Sequence, residues 1–542
     1  MALTPRTADP EAGAGRHGGG RRKGGSGSGG PKGPGGATTD RRRRRRRALR
    51  WSATVLAVVI LGTAGAGYLY YRHLNANIRK GERSSGDAKA QKTAPNAAGQ
   101  TPLNILLIGS DSRNSAENLK LGGSRSSVGD PPLGDVQMLI HISADRKSAA
   151  MVSIPRDTRV DIPKCTDPRT GKVYPATNDI INTTLGRGGA GCTLATWENL
   201  TGVYIDHWMT IDFAGVVKMA DAIGGVDVCV RQNVWDRSTA AQRGGSGLKL
   251  TLGTHKVKGV QALQWLRTRH AWGSDLMRAR AQHMYLNSMI RTLKSQNVFT
   301  DTGRLMDLAD SATKSLQVSE EIGTVKKLYD LGMEMKSVPS NRITSVTMPN
   351  LPDPQNPRNH VIPDPADAGR LWEMLRDDIP LDKNGGASGS RQTVTKPEPT
   401  KSPSTDPARL GVLVQNGTGS SSEAPVPRRA RTIADALVAR GYSRATADTA
   451  PPPSQDRTVV EYPSADLEGD AQGVAKALGL PTTAVKQSTA VSGVTLLLGA
   501  DWRTGTTYPK QAKPKAGDIP TNADAINGAD HDCMDVYKPY QW

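Results

Sequence analysis

The sequence predicts an α/β protein that is anchored by one membrane-spanning helix and carries a second, smaller α/β domain near its C-terminus. Three observations support this. An uncharged segment follows a strongly basic N-terminus, strand and helix patterns alternate through the middle of the chain, and a Gly-, Ser- and Pro-rich stretch separates them from a shorter strand–helix pattern. The predicted divisions are a disordered basic arm (1–50), a transmembrane helix (51–71), a spacer (72–101), the larger domain (102–382), a linker (383–407), the smaller domain (408–502) and a tail (503–542).

The N-terminal arm and the apolar segment after it predict membrane topology. The arm carries fourteen Lys and Arg against three acidic residues, which is more than half of the formal net charge of +20. The segment "WSATVLAVVILGTAGAGYLYY" (51–71) matches the roughly 20 helical residues that a bilayer requires. The run of arginines at 41–47 then places the N-terminus in the cytoplasm and the rest of the chain outside the cell.

Two other interpretations fit this region of the sequence less well. A cleaved signal peptide would also begin with positive charge, but its apolar run is usually only about 7–15 residues long. The arginines could instead neutralise the phosphates of a nucleic acid. Their position beside a membrane span favours anionic lipid, so we expect a membrane partner and no nucleic acid.

The larger domain begins with alternating strand and helix signals. "LNILLI" (103–108) is a buried strand, and "VQMLIHIS" (136–143) and "AAMVSIP" (149–155) form a hairpin in which Val136, Met138, Ile140 and Ile142 share one face. A helix follows at 212–225 and a strand at 226–230. The Gly-rich "GRGGAG" (186–191) lacks the Lys-Ser/Thr ending of a nucleotide-binding loop, and we interpret it as an ordinary loop.

Four cysteines lie on the predicted extracellular side, where disulfides persist. Cys165 and Cys192 lie in loop-like sequence, and we predict that they form a disulfide. Cys229 lies in a strand pattern and is either a buried thiol or the partner of Cys533. The chain has no Cys-x-x-Cys spacing, which argues against a zinc site.

Charged residues gather at the predicted ends of these elements, which is where α/β sheets bind ligands. They are Asp111 and Arg113 after the first strand, Asp135 before the second, Arg156, Asp157 and Arg159 after the third, and Arg267, Arg269, Asp275, Arg278 and Gln282 in "WLRTRHAWGSDLMRARAQ" (265–282). Arg267 and Arg269 point the same way in an extended segment, and Arg278 and Gln282 share one helix face. Guanidinium groups match phosphate oxygens, and carboxylates hold Mg²⁺, so the set predicts a pyrophosphate pocket.

The order and spacing of "NILLIGSDSR", "DVQMLIHIS", "VSIPRDTRVDIP", "IDHWMTIDFAGVVKMADAIGGVDV" and "GVQALQWLRTRH…SDLMRARAQ" resemble the extracytoplasmic LytR-CpsA-Psr family over about 103–296. The resemblance implies an α/β/α sandwich with a central mixed sheet and an apolar tunnel for a lipid tail. It implies a phosphotransferase that moves a glycopolymer from a polyprenyl-pyrophosphate carrier to peptidoglycan through a phosphodiester bond.

The resemblance also implies roles for individual residues. Arg156, Arg267, Arg269, Arg278 and Gln282 resemble the pyrophosphate-binding set, to which we add Arg113 and Arg159. Asp111 and Asp135 resemble the acids linked to Mg²⁺ (or Mn²⁺), and Asp275 resembles the acid before the helix arginine. The family usually has Arg-Ser-Asp at this point, whereas here Asp135 follows "PPLG" and that arginine is missing. Arg125 could take its role. Asp135 and Asp275 are both candidate bases, and we expect Arg280 to be solvated or ion-paired.

The smaller domain resembles the LytR C-terminal domain, with "LGVLVQNGTG" (410–419) as a strand and "RRARTIADALVARGY" (428–442) as a helix. An alternative for the whole chain is a membrane-anchored regulator or scaffold that binds lipid-linked glycans or cell wall without chemistry. Acidic residues from two separate loops beside the arginines favour the enzyme, because a scaffold does not need them.

Overall fold

A computed structural model describes most of the chain. The described residues are 37–88, 90–96, 98–112, 116–121, 129–240, 242–296, 301–383, 402–419, 424–450, 457–481, 484–488, 490–509 and 513–542.

The strands and helices are numbered here in chain order. The strands are β1 (Arg79–Gly81), β2 (Leu103–Ser110), β3 (Gly134–Ile142), β4 (Ala149–Ser153), β5 (Arg159–Ile162), β6 (Cys165–Thr166), β7 (Val173–Tyr174), β8 (Thr177–Ile180), β9 (His207–Ile211), β10 (Val226–Val230), β11 (Val234–Trp235), β12 (Lys249–Leu250), β13 (Gly253–Val257), β14 (Leu316–Ser319), β15 (Ile343–Thr347), β16 (Asn350–Pro352), β17 (Val361–Pro363), β18 (Gly411–Asn416), β19 (Arg444–Ala447), β20 (Val459–Tyr462), β21 (Val485–Gln487), β22 (Val494–Leu498) and β23 (Ile526–Asn527). The helices are α1 (Ala37–Asn77), α2 (Ala116–Lys120), α3 (Thr184–Thr201), α4 (Phe213–Ile223), α5 (Gly259–Arg267), α6 (Asp275–Ser295), α7 (Thr302–Ser315), α8 (Val325–Ser337), α9 (Asp367–Arg376), α10 (Arg429–Val438) and α11 (Glu468–Leu478).

Helix α1 contains the predicted membrane span. Its stretch Arg45–Asn77 is long and apolar enough to cross a membrane, which fits a single-pass membrane protein. The helix begins at Ala37, so residues 37–50, which the sequence assigned to a disordered arm, are helical. The run 41–50 contains only Arg, Ala and Leu, which are strong helix formers, and no Gly or Pro interrupts it.

An eight-stranded mixed sheet forms the centre of the larger domain, in the order β1-β14-β9-β2-β3-β4-β15-β23. β2 pairs antiparallel with β3 and parallel with β9, and β4 pairs antiparallel with β3 and parallel with β15. The predicted hairpin of β3 and β4 is therefore confirmed. A mixed sheet results because hairpin connections give antiparallel neighbours, whereas helical crossovers give parallel ones.

Helices cover both faces of this sheet, which confirms the expected three-layer α/β/α arrangement. On one face, Leu139 of β3 lies in a buried cluster with Trp197 of α3 and Trp372 of α9. On the other face, Met138 and Ile142 lie in a cluster with Ile290 of α6. Because successive side chains of a strand point to opposite faces, a strand buried on both sides separates these two cores.

The Gly-rich segment that was predicted to be a loop lies inside helix α3. The backbone angles of Gly188 and Gly189 are not helical, so these glycines separate two helical parts of α3, and the predicted loop is confined to this break. Cys192 on α3 forms a disulfide with Cys165, which confirms the predicted pair. A disulfide of this kind typically stabilises a fold by about 2–4 kcal/mol.

The predicted spacer is partly docked on the larger domain. β1 adds a strand to the central sheet by pairing in parallel with β14. Nη1 of Arg83 lies 2.8 Å from Oε1 of the buried Glu198, and Nζ of Lys92 lies 2.7 Å from Oδ1 of Asp206. A buried carboxylate is stable only when it is paired, and Arg83 and Lys92 provide the partners. The polar composition of the spacer does not predict these ion pairs.

The smaller domain is a five-stranded sheet in the order β19-β18-β22-β20-β21 with its own apolar core. Helices α10 and α11 pack against it through Ile433, Leu437, Val474 and Leu478. The strand–helix order agrees with the sequence pattern. Of the predicted linker (383–407), residues 383 and 402–407 belong to the described residues, and there Ser404 and Thr405 bond to the Asp470 carboxylate.

The chain returns to the larger domain after the smaller one. β23 pairs antiparallel with β15, and Cys533 forms a disulfide with Cys229, which decides between the two alternatives left open for that cysteine. Gly517 donates its N–H to the Pro380 carbonyl at 3.0 Å, close to where the chain leaves the larger domain. The smaller domain is therefore inserted into the sequence of the larger domain. The described part of 503–542, which was predicted to be a tail, adds a strand and a disulfide to the larger domain.

Candidate active site

A cavity of about 490 Å³ lies between the central sheet and helices α4, α5 and α6. This volume falls within the range of pockets that bind small molecules. Most of its wall is apolar, and the residues concerned are Leu107, Met138, Met209, Ile211, Phe213, Val216, Met219, Leu263, Leu266, Leu286, Met289 and Leu316. Many are Leu and Met, whose flexible side chains adapt to an apolar ligand without fixed geometry.

Helix α4 forms part of this wall, and a capping residue defines each of its ends. The Asp212 carboxylate caps the helix by accepting the Gly215 N–H at 2.9 Å, a contact that typically stabilises a helix by about 1 kcal/mol. At the other end Gly224 adopts a left-handed conformation (φ 82°) and stops the helix. The predicted helix is thus confirmed, and it presents Val216 and Met219 to the cavity.

Four arginines line the same cavity, and each comes from the end of an element: Arg156, Arg267, Arg269 and Arg278. Arg156 follows β4 by three residues. Its Nη1 donates to Oδ1 of Asp135 at 2.9 Å and its Nε donates to Oδ2 of Asp157 at 3.3 Å. The two carboxylates hold the guanidinium in a fixed orientation.

A β-bulge places Asp135 at this point. Val136 pairs with Gly109 and Gly134 pairs with Ser110, so Asp135 is an extra residue of β3 without a partner in β2. Bulges re-aim side chains and are common beside active sites. Here the bulge brings a carboxylate to the cavity wall next to Arg156.

Residues 267–275 form a turn between α5 and α6, which we call the arginine turn. Arg267 ends α5, and the Ser274 hydroxyl caps α6 by accepting the Met277 N–H at 3.2 Å. The turn needs Gly273, which has a φ of 85° that other residues adopt only with strain. The chain therefore reverses within a few residues and brings both arginines of the turn to one cavity.

Asp275 links the arginine turn to helix α6. Its Oδ2 lies 2.8 Å from Nη2 of Arg269, and its Oδ1 lies 2.9 Å from Nη2 of Arg278. The Arg278 side chain is 13% exposed and that of Arg269 is 46% exposed, so one guanidinium is sheltered while the other reaches solvent. A single carboxylate thus sets the separation of two arginines.

Arg267 and Gln282 are held by contacts of a different kind. Nη1 of Arg267 donates to the Leu121 carbonyl at 3.1 Å, and its guanidinium lies over the Phe213 ring at 4.6 Å from the centroid. Nε2 of Gln282 donates to the Leu266 carbonyl at 3.0 Å, which ties α6 to the end of α5. Both side chains line the cavity.

Neighbouring charges tune two of the guanidinium groups. Burial alone would lower the pKa of Arg156, but the carboxylates of Asp135 and Asp157 outweigh it and raise that pKa above its usual value. Burial lowers the pKa of Arg278, an effect that Asp275 opposes and the positive charge of Arg156 reinforces. Arginine remains charged at any physiological pH, so the site keeps a concentrated positive charge.

Asp111 and Asp135 lie at the same end of the β2–β3 pair. Oδ1 of Asp111 accepts the Leu133 N–H at 2.8 Å, and Asp111 itself does not line the cavity. Within the described residues no group of three or more His, Cys, Asp or Glu side chains could hold a metal ion. Two carboxylates suit Mg²⁺, which usually takes its other ligands from water and substrate phosphate.

Arg159, a predicted site residue, is not brought to the cavity. Nε of Arg159 donates to Oδ2 of the buried Asp353 at 2.6 Å and its Nη2 lies 2.9 Å from Nδ1 of His360, so this guanidinium belongs to a separate cluster. Its assignment to the pyrophosphate set therefore has no support from its position. Arg113 and Arg125 lie outside the described residues.

Asp236 and His270 are among the polar residues of the cavity wall that the sequence did not predict. Nδ1 of His270 lies 4.0 Å from Oδ1 of Asp236, and that oxygen accepts the Ala271 N–H at 3.2 Å. His270 directly follows Arg269, which was an available signal. Nothing in the pattern around Asp236 could have indicated its place, because the contact joins distant parts of the chain.

Comparison with known proteins identifies the family. The sequence profile of the LytR_cpsA_psr family matches residues 68–376. The chain belongs to the LytR-CpsA-Psr family. Residues 409–502 match a second profile, described as LytR cell envelope-related transcriptional attenuator. The two matches fall on the larger and the smaller domain, respectively.

Individual LytR-CpsA-Psr relatives are distant. The chain is 26% identical to the cell wall biosynthesis protein LcpA of Corynebacterium glutamicum over 315 residues, which are 54% of this chain and 58% of LcpA. It is 24% identical to the polyisoprenyl-teichoic acid–peptidoglycan teichoic acid transferase TagT of Bacillus subtilis over 294 residues, covering 54% of this chain and 84% of TagT. The match therefore spans less than two thirds of LcpA.

Solved structures of other proteins also match about half of the chain. The crystal structure of B. subtilis TagV has 23% sequence identity and a TM-score of 0.39, and it covers 52% of this chain and 97% of that one. A LytR-Csp2A-Psr enzyme from Actinomyces oris has 17% identity and a TM-score of 0.39, with coverage of 55% and 96%.

Proposed function

We propose that this chain is a membrane-anchored phosphotransferase that moves a glycopolymer from a polyprenyl-pyrophosphate carrier to peptidoglycan through a phosphodiester bond. The observation that carries the proposal is one cavity that combines an apolar wall with four arginines. A lipid-linked pyrophosphate has the same two parts, a long apolar chain and a compact anionic group. The name of TagT, a transferase of teichoic acid to peptidoglycan, supports the same reaction class.

The arginines provide electrostatic stabilisation in this mechanism. Each guanidinium has five N–H donors, and the contacts to Asp135, Asp157 and Asp275 use only some of them. Pyrophosphate oxygens bind the remaining donors of Arg156 and displace Asp275 from donors of Arg269 and Arg278. Phosphoryl transfer depends mainly on positioning and on neutralising charge, so no covalent nucleophile from the protein is needed.

The reaction is a substitution at the phosphorus that carries the glycopolymer. A sugar hydroxyl oxygen of peptidoglycan forms a bond to that phosphorus, and the bond to the bridging pyrophosphate oxygen breaks. The lipid leaves as polyprenyl monophosphate with the electron pair, and the hydroxyl proton passes to a carboxylate, with Asp135 and Asp275 as candidates. Asp111 and Asp135 would hold Mg²⁺, which supplies further positive charge to the phosphate oxygens.

The proposed location follows from α1. With the arginine run 41–47 on the cytoplasmic side, the rest of the chain after the span lies outside the cell, where peptidoglycan is found. The proposed partners are therefore the lipid-linked glycopolymer, peptidoglycan and the membrane itself.

A reconstituted transfer assay tests this proposal. The purified full-length chain in detergent is given a polyprenyl-pyrophosphate glycan and peptidoglycan oligomers, and the joined product is quantified. We expect Arg269→Ala to reduce transfer by at least ~100-fold, because it removes a charge that stabilises the transition state. The matched control is Arg304→Ala, since Arg304 is an exposed arginine of α7 that lies outside the cavity.

Two outcomes would contradict different parts of the proposal, the first its reaction site and the second its enzymatic activity. Full transfer by the Arg269→Ala variant would show that the cavity is not the reaction site. Tight binding of the lipid-linked glycan by the wild-type chain, with no turnover and no dependence on Mg²⁺, would instead support the non-catalytic scaffold.

A further inference from the structure

The last residues of the chain pack against the elements that carry the arginine turn. We call residues 524–542 the C-terminal segment. Arg280 of α6 forms ion pairs with two of its carboxylates, those of Asp524 and Asp532. Arg280 was expected to be solvated or ion-paired, and it is ion-paired. Because Arg280 follows Arg278 by two residues, it holds the segment to the same turn of the helix that supplies the cavity with a guanidinium.

The C-terminal segment also bonds directly to the arginine turn. The Tyr537 N–H donates to the Ala271 carbonyl at 2.8 Å. The ring of Tyr540 lies 6.1 Å from the ring of His270, which directly follows Arg269. These contacts fall in the middle of the turn, between Arg269 and Asp275.

A shared apolar core fixes the segment in this position. Met534, Val536 and Tyr540 are buried in one cluster with Trp265 of α5 and Trp272 of the arginine turn. Burial of apolar side chains is the main favourable contribution to folding, so this cluster attaches the segment firmly. The disulfide between Cys533 and Cys229 adds a covalent link to strand β10 directly before these residues.

We propose that the C-terminal segment is a positioning element for the arginine turn, so that the pyrophosphate site is complete only when the end of the chain is docked. This inference rests on the proposed function for its ligand. Ion pairs on α6, a hydrogen bond to the turn and a common core all act on the elements that carry Arg269, Asp275 and Arg278. None of the segment's residues lines the cavity, so its effect on the ligand is exerted through the turn.

One pair of variants isolates the hydrogen bond to the turn. Tyr537 has φ −61° and ψ 128°, backbone angles that proline also adopts, so Tyr537→Pro removes the N–H donor without a change of φ. Tyr537→Ala is the matched control, since both variants lose the same ring and only one loses the N–H. The probe is inorganic pyrophosphate, and its affinity for the full-length chain in detergent is measured by calorimetry.

We expect Tyr537→Pro to bind pyrophosphate roughly three- to tenfold more weakly than Tyr537→Ala. A decrease of this size corresponds to the loss of one hydrogen bond. Amide hydrogen exchange should be faster at 270–274 in the proline variant, while exchange in the central sheet stays the same. A purely structural role would lower the denaturation midpoint without moving the affinity. Equal affinity and equal exchange at the turn in the two variants would overturn the proposal.

A second measurement uses only the wild-type chain. Coupling between two sites is reciprocal, so pyrophosphate that orders the arginine turn must also slow exchange at the C-terminal segment. Protection of the turn with no change at the Tyr537 amide would overturn the proposal even if Tyr537→Pro fails to fold. If the wild-type chain binds pyrophosphate but transfers no glycan, the proposed function alone fails. If it does not bind pyrophosphate, the comparison of exchange at the turn between the two variants still decides the positioning role.

Discussion

His283 should make the larger domain unstable in mild acid. This residue of α6 is completely buried, and neither ring nitrogen has a hydrogen-bond partner among the described residues. Burial, with a smaller contribution from the positive charge of Arg280, lowers the pKa of His283 to about 3. The imidazole is therefore neutral in the folded protein, whereas in the unfolded chain it takes up a proton near its ordinary pKa of 6.5.

The size of this effect follows from linkage between folding and protonation. Between these two pKa values the unfolded chain binds more protons than the folded protein, so stability falls as the pH falls below about 6.5. A pKa of 6.5 unfolded and about 3 folded gives a loss of about 2 kcal/mol at about pH 5 relative to neutral pH. His283→Leu should remove this loss, because leucine fills a similar volume and cannot be protonated.

Urea denaturation followed by tryptophan fluorescence measures the effect at neutral pH and at about pH 5. The quantity that matters is the difference in pH dependence between the wild-type chain and the His283→Leu variant, since other groups titrate equally in both. His531→Leu is the control, because His531 lies exposed on the surface. An unchanged pH dependence in His283→Leu would refute the reasoning.

Three further predictions concern the cavity and its charges. Asp135→Asn should make transfer need ~10-fold or more additional Mg²⁺, measured by titrating the metal after chelation, because a ligand charge is lost; an unchanged requirement would remove Asp135 from the metal site. Met219→Trp should weaken binding of the long polyprenyl donor roughly tenfold, because the ring fills the apolar cavity, and it should leave the binding of inorganic pyrophosphate unchanged. The control Met306→Trp, on the exposed face of α7, should change neither affinity. Asp275→Asn should lower kcat by ~100-fold or more with little change in KM, measured by initial rates; an equal rise in KM would assign Asp275 to substrate binding instead.

The sheet and its neighbouring helices were predictable because each is specified locally. A largely apolar run such as 103–108 indicates a buried strand, and the capping residue Asp212 and the terminal Gly224 delimit a helix without reference to the rest of the chain. The Gly-rich part of α3 was not predictable in this way. Gly188 and Gly189 interrupt the helical backbone as glycines commonly do, but the helical residues on both sides of them carry no local signal that separates them from a longer loop.

The arginine positions were predictable for a related reason. Arg267 and Arg269 close one element and Arg278 and Gln282 share a helix face, so spacing alone predicts that they converge. Contacts between distant residues have no such signal. The docking of the C-terminal segment depends on tertiary contacts, whereas its composition predicts a tail. The ion pair of Arg159 with Asp353 also depends on tertiary structure, whereas the sequence around Arg159 predicts a ligand site.

The two candidate bases differ in what occupies their oxygens, and this difference favours Asp275. A carboxylate bound to Mg²⁺ cannot also accept the hydroxyl proton through the same oxygen, so if Asp135 holds the metal, proton transfer falls to Asp275. In the structure both oxygens of Asp275 contact arginine, Oδ2 with Arg269 and Oδ1 with Arg278. A pyrophosphate that binds these two guanidinium groups competes with Asp275 for their donors. Substrate binding would therefore release a carboxylate oxygen beside the reacting phosphorus, and the base would become available only when the donor lipid is in place.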